Sequence, residues 1–281
     1  MSKKPLVSIL IASFNKDKYT ERCISSCLKQ SYKNIEIIFY DDGSTDNSLN
    51  IAKKFKKIKV LSNQKNKKIS KFNTYPQINS YCNAFIKSKG KIITFLDSDD
   101  FYYNNKIKII VDYFEKNKNS NIVFDLPTYI FENKKISKTL KKNFKLRAKS
   151  IWPKFPPQSC ISIKRSFFNK YSKDIQNKNF SMLTLDFRLA VLANTTLNEF
   201  SLLNKNLTYY FQDTKGESSS KFKKFSVNWW IRREQAHAYT QFIAKKYKIE
   251  YSLSLDLFLT KFITFFLPSS FFVDSPANVS S

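Results

Sequence analysis

The sequence predicts an α/β fold built on a mainly parallel sheet flanked by helices, and three observations predict it. Short, continuously apolar, Ile-rich runs at 6–12, 35–40 and 92–96 read as strands buried on both faces. Amphipathic stretches separate them, and alternation of strand with helix gives parallel pairing. Two of the three runs end in carboxylate clusters, Asp41-Asp42-Gly43-Ser44 and Asp97-Ser98-Asp99-Asp100.

In chain order, the first strand leads into a helix over 19–29 that puts Cys23, Ile24, Cys27 and Leu28 on one face. After the second strand, a helix over 48–55 groups Leu49, Ala52 and Phe55 behind a cap at Asp46. A third helix is expected over 76–88, closed by Gly90, and a fourth over 105–118 on Ile107, Ile110, Val111 and Phe114. The chain then reads as irregular: a basic, loop-like stretch at 134–149 and turns at Pro153, Pro156 and Pro157. A helix starts near Asp186 and runs through Leu192, and 221–247 is helical, with Trp229, Trp230 and His237. The most apolar piece is 253–273. There is no internal repeat and no low-complexity linker.

Composition narrows the function classes. Hydrophobic residues make up 42% of the 281, enough for a real core. Only 3 Gly are present, and neither GxGxxG nor GxxxxGK[ST] occurs, which excludes a Gly-rich phosphate cradle. The net charge of +27 suits an anionic partner or a Lys-rich background composition, and by itself decides nothing. The 4 Cys show no CxxC spacing; Cys23 and Cys27 could form half a metal site, but with a single His in the chain reduced core thiols are the better reading. His237 has no partner in sequence and reads as a surface or core histidine. Met1 to Pro5 runs straight into the first strand without the regions of a signal peptide, so a cytoplasmic location is expected.

The chemistry sits at the strand ends. Ligands of open parallel sheets bind outside the carboxyl ends of the strands, so both acidic clusters face one crevice. Crowded carboxylates repel unless a cation or donor network compensates. Mg²⁺ or Mn²⁺, held by one or two carboxylates plus substrate phosphates, is the natural compensation and describes a nucleotide-diphosphate site. A lone acidic turn would be solvated surface; two at successive strand ends are not.

The stretch from Val7 through Asn15 to Asp46, followed by Gly90 through Asp100, resembles family 2 glycosyltransferases, which have the GT-A fold; the motifs cover residues 5–115 in that family's order and spacing. The resemblance implies a Rossmann-like GT-A catalytic domain over 1–220, with a nucleotide-sugar half at 1–115 and an acceptor half at 116–220, and a helical, apolar C-terminal extension over 221–281. It implies a nucleobase pocket at Ala12 and Phe14, the latter either stacking on the base or part of the core. It implies a uracil contact at Asp42, and a DxD segment in which Asp97 binds ribose and Asp99, with Asp97, a divalent metal (Mn²⁺ or Mg²⁺). An inverting transfer from a UDP-linked sugar to a glycan, lipid-linked saccharide or surface polysaccharide follows. Such transfer needs a general base; the family carries an acid at a helix start in its second half, and Asp186 is the best match, with helix capping as its other reading and Leu185 where the family often has Glu. Residues 209–218 resemble the family's donor-covering loop without its usual Arg and His. On the helix before Gly90, Tyr81-Cys82 stand where the family often has Arg-Asn, and the Lys-rich loop 65–71 either supplies charge in compensation or is solvated.

Two other functions fit the sequence less well. A nucleotidyltransferase of similar architecture would need a Gly-rich basic loop after the first strand, and 11–15 is not one. A basic nucleic-acid-binding protein would leave both acidic strand ends unexplained, so no nucleic acid is expected. The apolar stretch 253–273 could span a ~30 Å hydrocarbon core, which takes about 20 residues. It contains Asp256, Lys261 and Pro268, and a mid-membrane charge costs about 2.5–3.5 kcal/mol. Peripheral attachment to the cytoplasmic membrane face is therefore set against packing on the catalytic domain or a homo-oligomer interface.

Overall fold

The computed structural model describes residues 4–63, 74–131, 134–136, 155–197, 201–212, 222–251 and 254–267. The first half alternates β1 (Val7–Ser13), α1 (Asp17–Leu28), β2 (Ile35–Asp41), α2 (Ser48–Lys53), β3 (Lys59–Ser62), α3 (Tyr75–Ile86), β4 (Ile92–Asp97), β5 (Phe101–Tyr102) and α4 (Lys106–Lys116). The second half adds β6 (Ile122–Phe131), β7 (Lys134–Ile136), β8 (Ile161–Lys164), α5 (Arg165–Ile175), α6 (Leu185–Leu197), β9 (Ser201–Gln212), α7 (Val227–Lys246) and α8 (Leu255–Phe265).

All described strands form one sheet in the order β3-β2-β1-β4-β8-β6-β9-β5, with β7 beside β6. β1 pairs in parallel with β2 and β4, so the carboxyl ends of these three strands share one edge. β8 is antiparallel to both β4 and β6, which makes the sheet mixed.

The apolar runs are continuous because both faces are covered. Val7, Ile9 and Ile11 pack with α1 and α4 through Cys23, Ile24, Ile107 and Ile110. Leu10, Ile93 and Phe95 pack on the other face with Tyr81 of α3, Phe168 of α5, Leu189 of α6 and Tyr239 of α7. The four cysteines are buried free thiols, as expected of core residues.

Three readings change. The second half is not irregular: β6, β8, β9 and α5 extend the same sheet and its cover. β6 was hidden because Asp125 and Pro127 interrupt its apolar pattern; Pro127 is tolerated at a register shift between β6 and β9. Gly90 does not close α3. It lies against β1, where a Cβ would meet the Ser8 Oγ at 2.4 Å and the Ser8 nitrogen at 2.5 Å. The cap of α2 is Asn47 by position, while Asp46 accepts from the Ser48 amide and, across the loop, the Asp17 amide. The basic loop 65–71, nearly all of 134–149 and the segments 213–218 and 268–273 lie outside the described residues. Among those described, no helix is long and apolar enough to cross a membrane.

Candidate active site at the carboxyl edge of the sheet

Strand register brings the predicted residues together. Ser13 lies opposite Asp41, and Ala12 opposite Asp97. Beyond β1 the chain turns sharply at Asn15, whose φ of 51° is one that Asn tolerates better than most side chains. Asn15 then laces the two loops: its amide donates to the Ser44 Oγ and its Oδ1 accepts from the Thr45 amide, at 2.9 and 2.8 Å. Asp41 is buried, and its Oδ2 accepts from the amides of Gly43 and Ser44, an Asx-turn that shapes the loop. The first Asp of the pair is thus structural. Asp42 is half-buried at the rim, with its Oδ1 accepting from Asn63 at 3.3 Å. Ala12 is buried, and Phe14 is 52% exposed, which removes Phe14 from the core.

The acidic run divides in the same way. Asp100 is fully buried; it accepts from Ser159 and from the Phe211 amide, pinning the end of β4 to β9 and to the turn before β8. Asp97 is half-buried, and three donors converge on its Oδ1: Gln77 Nε2 at 2.9 Å, Tyr81 OH at 2.8 Å and Gln158 Nε2 at 3.0 Å. Burial, and then repulsion from Asp99, push its carboxyl up to about 7 despite those donors. Asp99 is half-buried and pairs through its Oδ2 with the Lys16 ammonium at 2.8 Å. The Arg22 guanidinium, stacked 4.3 Å over Phe101, donates to the Asp99 carbonyl and fixes the turn.

Asp186 stands in the first turn of α6, half-buried, and its Oδ1 accepts from the Phe187 amide at 2.7 Å. That short local bond engages one oxygen. Burial raises its pKa, opposed by hydrogen bonds from Thr184 and the Phe187 amide and by the Arg232 charge. Asp186 is close enough to Asp97 for its charge to raise the Asp97 pKa. Tyr210 is in the same field: burial first, then Asp100, Asp97, Asp99 and Asp186 hold its hydroxyl well above the usual range. The turn that presents Asp186 is tied by Arg188. This fully buried guanidinium donates to the carbonyls of Ile175, Asn177, Phe180 and Leu183. Four carbonyls satisfy a cation that would otherwise be costly to bury.

The profile of glycosyl transferase family 2 matches residues 8–172, more than half of the chain. The chain belongs to glycosyl transferase family 2. An uncharacterized glycosyltransferase of Haemophilus influenzae is 40% identical over 108 residues, covering 37% of this chain and 40% of that protein. The UDP-Glc:alpha-D-GlcNAc-diphosphoundecaprenol beta-1,3-glucosyltransferase WfaP of Escherichia coli is 34% identical over 135 residues, covering 45% of this chain and 47% of that protein. The chain thus spans less than half the length of either relative. In fold it is similar to S. aureus TarS 1-349 in complex with UDP-GlcNAc, at a TM-score of 0.60 and 18% identity, covering 98% of this chain and 74% of that one. The fold is the GT-A type, a mixed sheet flanked by helices with further helices at the C-terminal end.

The family 2 match contains Ala12, Phe14, Asp42, Asp97 and Asp99; Asp186 and Tyr210 lie beyond it. Among the described residues no group of three His, Cys, Asp or Glu is spaced to cage a metal by itself. What is present is a set of carboxylates, Asp97, Asp99 and Asp186, whose charges act on one another, with the Lys16 ammonium paired to Asp99. That donor set fits an ion bound by one or two carboxylates and completed by substrate phosphates, not an all-protein site. Gln77, Gln158, Ser159 and Arg232 carry no motif in the sequence, whereas Tyr210 lies in the 209–218 stretch that resembles the donor-covering loop. The i, i+4 spacing of Gln77 and Tyr81 on α3 is a further signal.

Proposed function

We propose that this family 2 member transfers a sugar, with inversion, from a nucleotide diphosphate sugar, UDP-linked, to a hydroxyl of a saccharide or lipid-linked saccharide. The observation that carries the reading is the placement of Asp97 at the carboxyl end of β4, opposite Ala12 of β1 and inside the family 2 match, with three donors held on its Oδ1. The E. coli relative named for UDP-glucose and a diphosphoundecaprenol-linked acceptor supports the donor and acceptor classes.

In this reading Asp42 accepts a hydrogen bond from the base, while Ala12 and the exposed ring of Phe14 line the base pocket. Asp97 binds the ribose, its Oδ1 held by Gln77, Tyr81 and Gln158. Asp99, with Asp97, would hold Mn²⁺ or Mg²⁺, which would offset the charge of the diphosphate leaving group. Asp186 takes the proton of the acceptor hydroxyl; its raised pKa brings it toward neutral pH, where a general base is most effective. Tyr81 stands where the family often has the Arg of an Arg-Asn pair, so α3 serves the donor site through a neutral donor to Asp97.

The test is nucleotide release from a panel of UDP-, GDP- and CMP-sugars with Mn²⁺. Release from a UDP-sugar, lost with EDTA and in Asp99→Asn, is expected. Release from no donor, or release indifferent to EDTA, would remove the reading.

A further inference from the structure

The last helix is packed with its apolar side outward. On α8, Leu257, Thr260 and Thr264 are buried, whereas Leu255, Phe258, Leu259, Phe262, Phe265 and Phe266, at its end, are 53–88% exposed. Their spacing puts them on one stripe. The inward side is fixed by chemistry. Asp256 accepts from the Arg233 guanidinium and pairs with the His237 Nε2 at 2.9 Å. Thr260 and Thr264 return their hydroxyls to the helix carbonyls of Asp256 and Thr260, at 2.7 and 3.0 Å, leaving a small surface that packs closely. Turning the helix over would hide the phenylalanines and break the Asp256 pairs.

We propose that this outward face of α8 docks on an anionic lipid membrane. A stripe this apolar is rare on a protein surface without a partner. At 11 residues the helix is about 16 Å long, too short to cross a bilayer and suited to lying in its interface. Lys261, on the flank of the stripe, is exposed and would reach the headgroups. The net charge of +27 draws the chain to an anionic surface and repels a second copy of itself. Charge complementarity therefore favours lipid over self-association, and a nucleic acid would answer the charge but not the phenylalanines.

The test is co-sedimentation of the full chain with phosphatidylcholine vesicles, with and without phosphatidylglycerol. Three proteins are compared: wild type, the quadruple variant Phe258→Ser, Phe262→Ser, Phe265→Ser, Phe266→Ser, and Lys261→Glu. Wild type is expected to sediment with the anionic vesicles. The quadruple variant should partition on the order of a hundredfold less, and Lys261→Glu severalfold less. The substituted side chains are exposed, so thermal unfolding should be unchanged; Lys261→Glu keeps the test valid if the quadruple variant does not fold. Wild type left in the supernatant would overturn the proposal. So would a quadruple variant that sediments like wild type, which would make charge alone responsible. A dimer in light scattering that the quadruple variant loses, with no vesicle binding, would assign the face to a second copy instead.

Discussion

Tyr81 donates its phenolic hydrogen bond to the Asp97 Oδ1 across 2.8 Å, and Gln77, one turn earlier on α3, donates to the same oxygen. One helix face thus fixes the carboxylate at the end of β4. Replacing Tyr81 with Phe removes one donor and keeps the ring packed edge-on against Phe95. A net hydrogen bond to a charged group contributes about 1.5–3 kcal/mol. UDP affinity measured by calorimetry should fall about tenfold or more in Tyr81→Phe, with the fold retained by circular dichroism. An unchanged affinity would separate Asp97 from nucleotide binding.

The Lys16–Asp99 pair is partly exposed, and pairs of that kind contribute about 0–1 kcal/mol to stability. Asp99→Asn should therefore leave the urea midpoint almost unmoved. Its Mn²⁺-dependent nucleotide release should nevertheless fall by two orders of magnitude or so, as expected when a carboxylate that would hold the ion is neutralised. A large stability loss with activity intact would reverse the assignment and make Asp99 structural.

The part of the pH dependence that comes from Asp186 is tuned by Arg232. Burial raises the Asp186 pKa and the Arg232 charge lowers it. A general base must be ionised, so activity is lost as pH falls through that pKa. Removing the nearby positive charge lets the pKa rise further. In Arg232→Met the acidic limb of the kcat profile should move to higher pH, while Asp186→Asn should be inactive at every pH. If the limb of Arg232→Met stays where it is in wild type, Asp186 is not the group that sets it.

How much of this was legible in sequence follows from the physics of each element. β1, β2 and β4 could be read because strands covered on both faces need apolar side chains at every position. Carboxylates crowded at two strand ends mark the place in the sequence, and only the family resemblance singles out Asp42, Asp97 and Asp99 within it. The physical reason for that partition is not in the sequence. Asp41 and Asp100 differ from their neighbours only in what folding brings to them: the loop amides for one, Ser159 and the Phe211 amide for the other. Gln77 and Gln158 act through contacts set by tertiary structure, and an isolated Gln in a sequence gives no sign of them. β6 was obscured because its buried Asp125 breaks the pattern, and that residue's partner lies nineteen positions earlier, on α4.

That partner is Lys106, whose ammonium pairs with Asp125 at 2.7 Å, both side chains being fully shielded from solvent. The ammonium also donates to the Ser159 carbonyl and the Thr208 Oγ1, each at 2.7 Å, and lies 4.0 Å from the Tyr102 ring centroid. It therefore joins α4, β6, β9 and the turn that carries Gln158 and Ser159 to the acidic run. Removing one member of a buried pair strands the other charge and costs about 3–5 kcal/mol, whereas replacing both with apolar groups is often close to neutral. Lys106→Met should lower the unfolding free energy by about that amount, and Lys106→Met with Asp125→Leu should recover much of it. Nucleotide affinity should not recover in parallel, because the double variant still lacks the ammonium's bond to the Ser159 carbonyl and keeps only the longer one from Thr208. Equal stability of Lys106→Met and wild type in urea titrations would show that the pair does not hold this junction together.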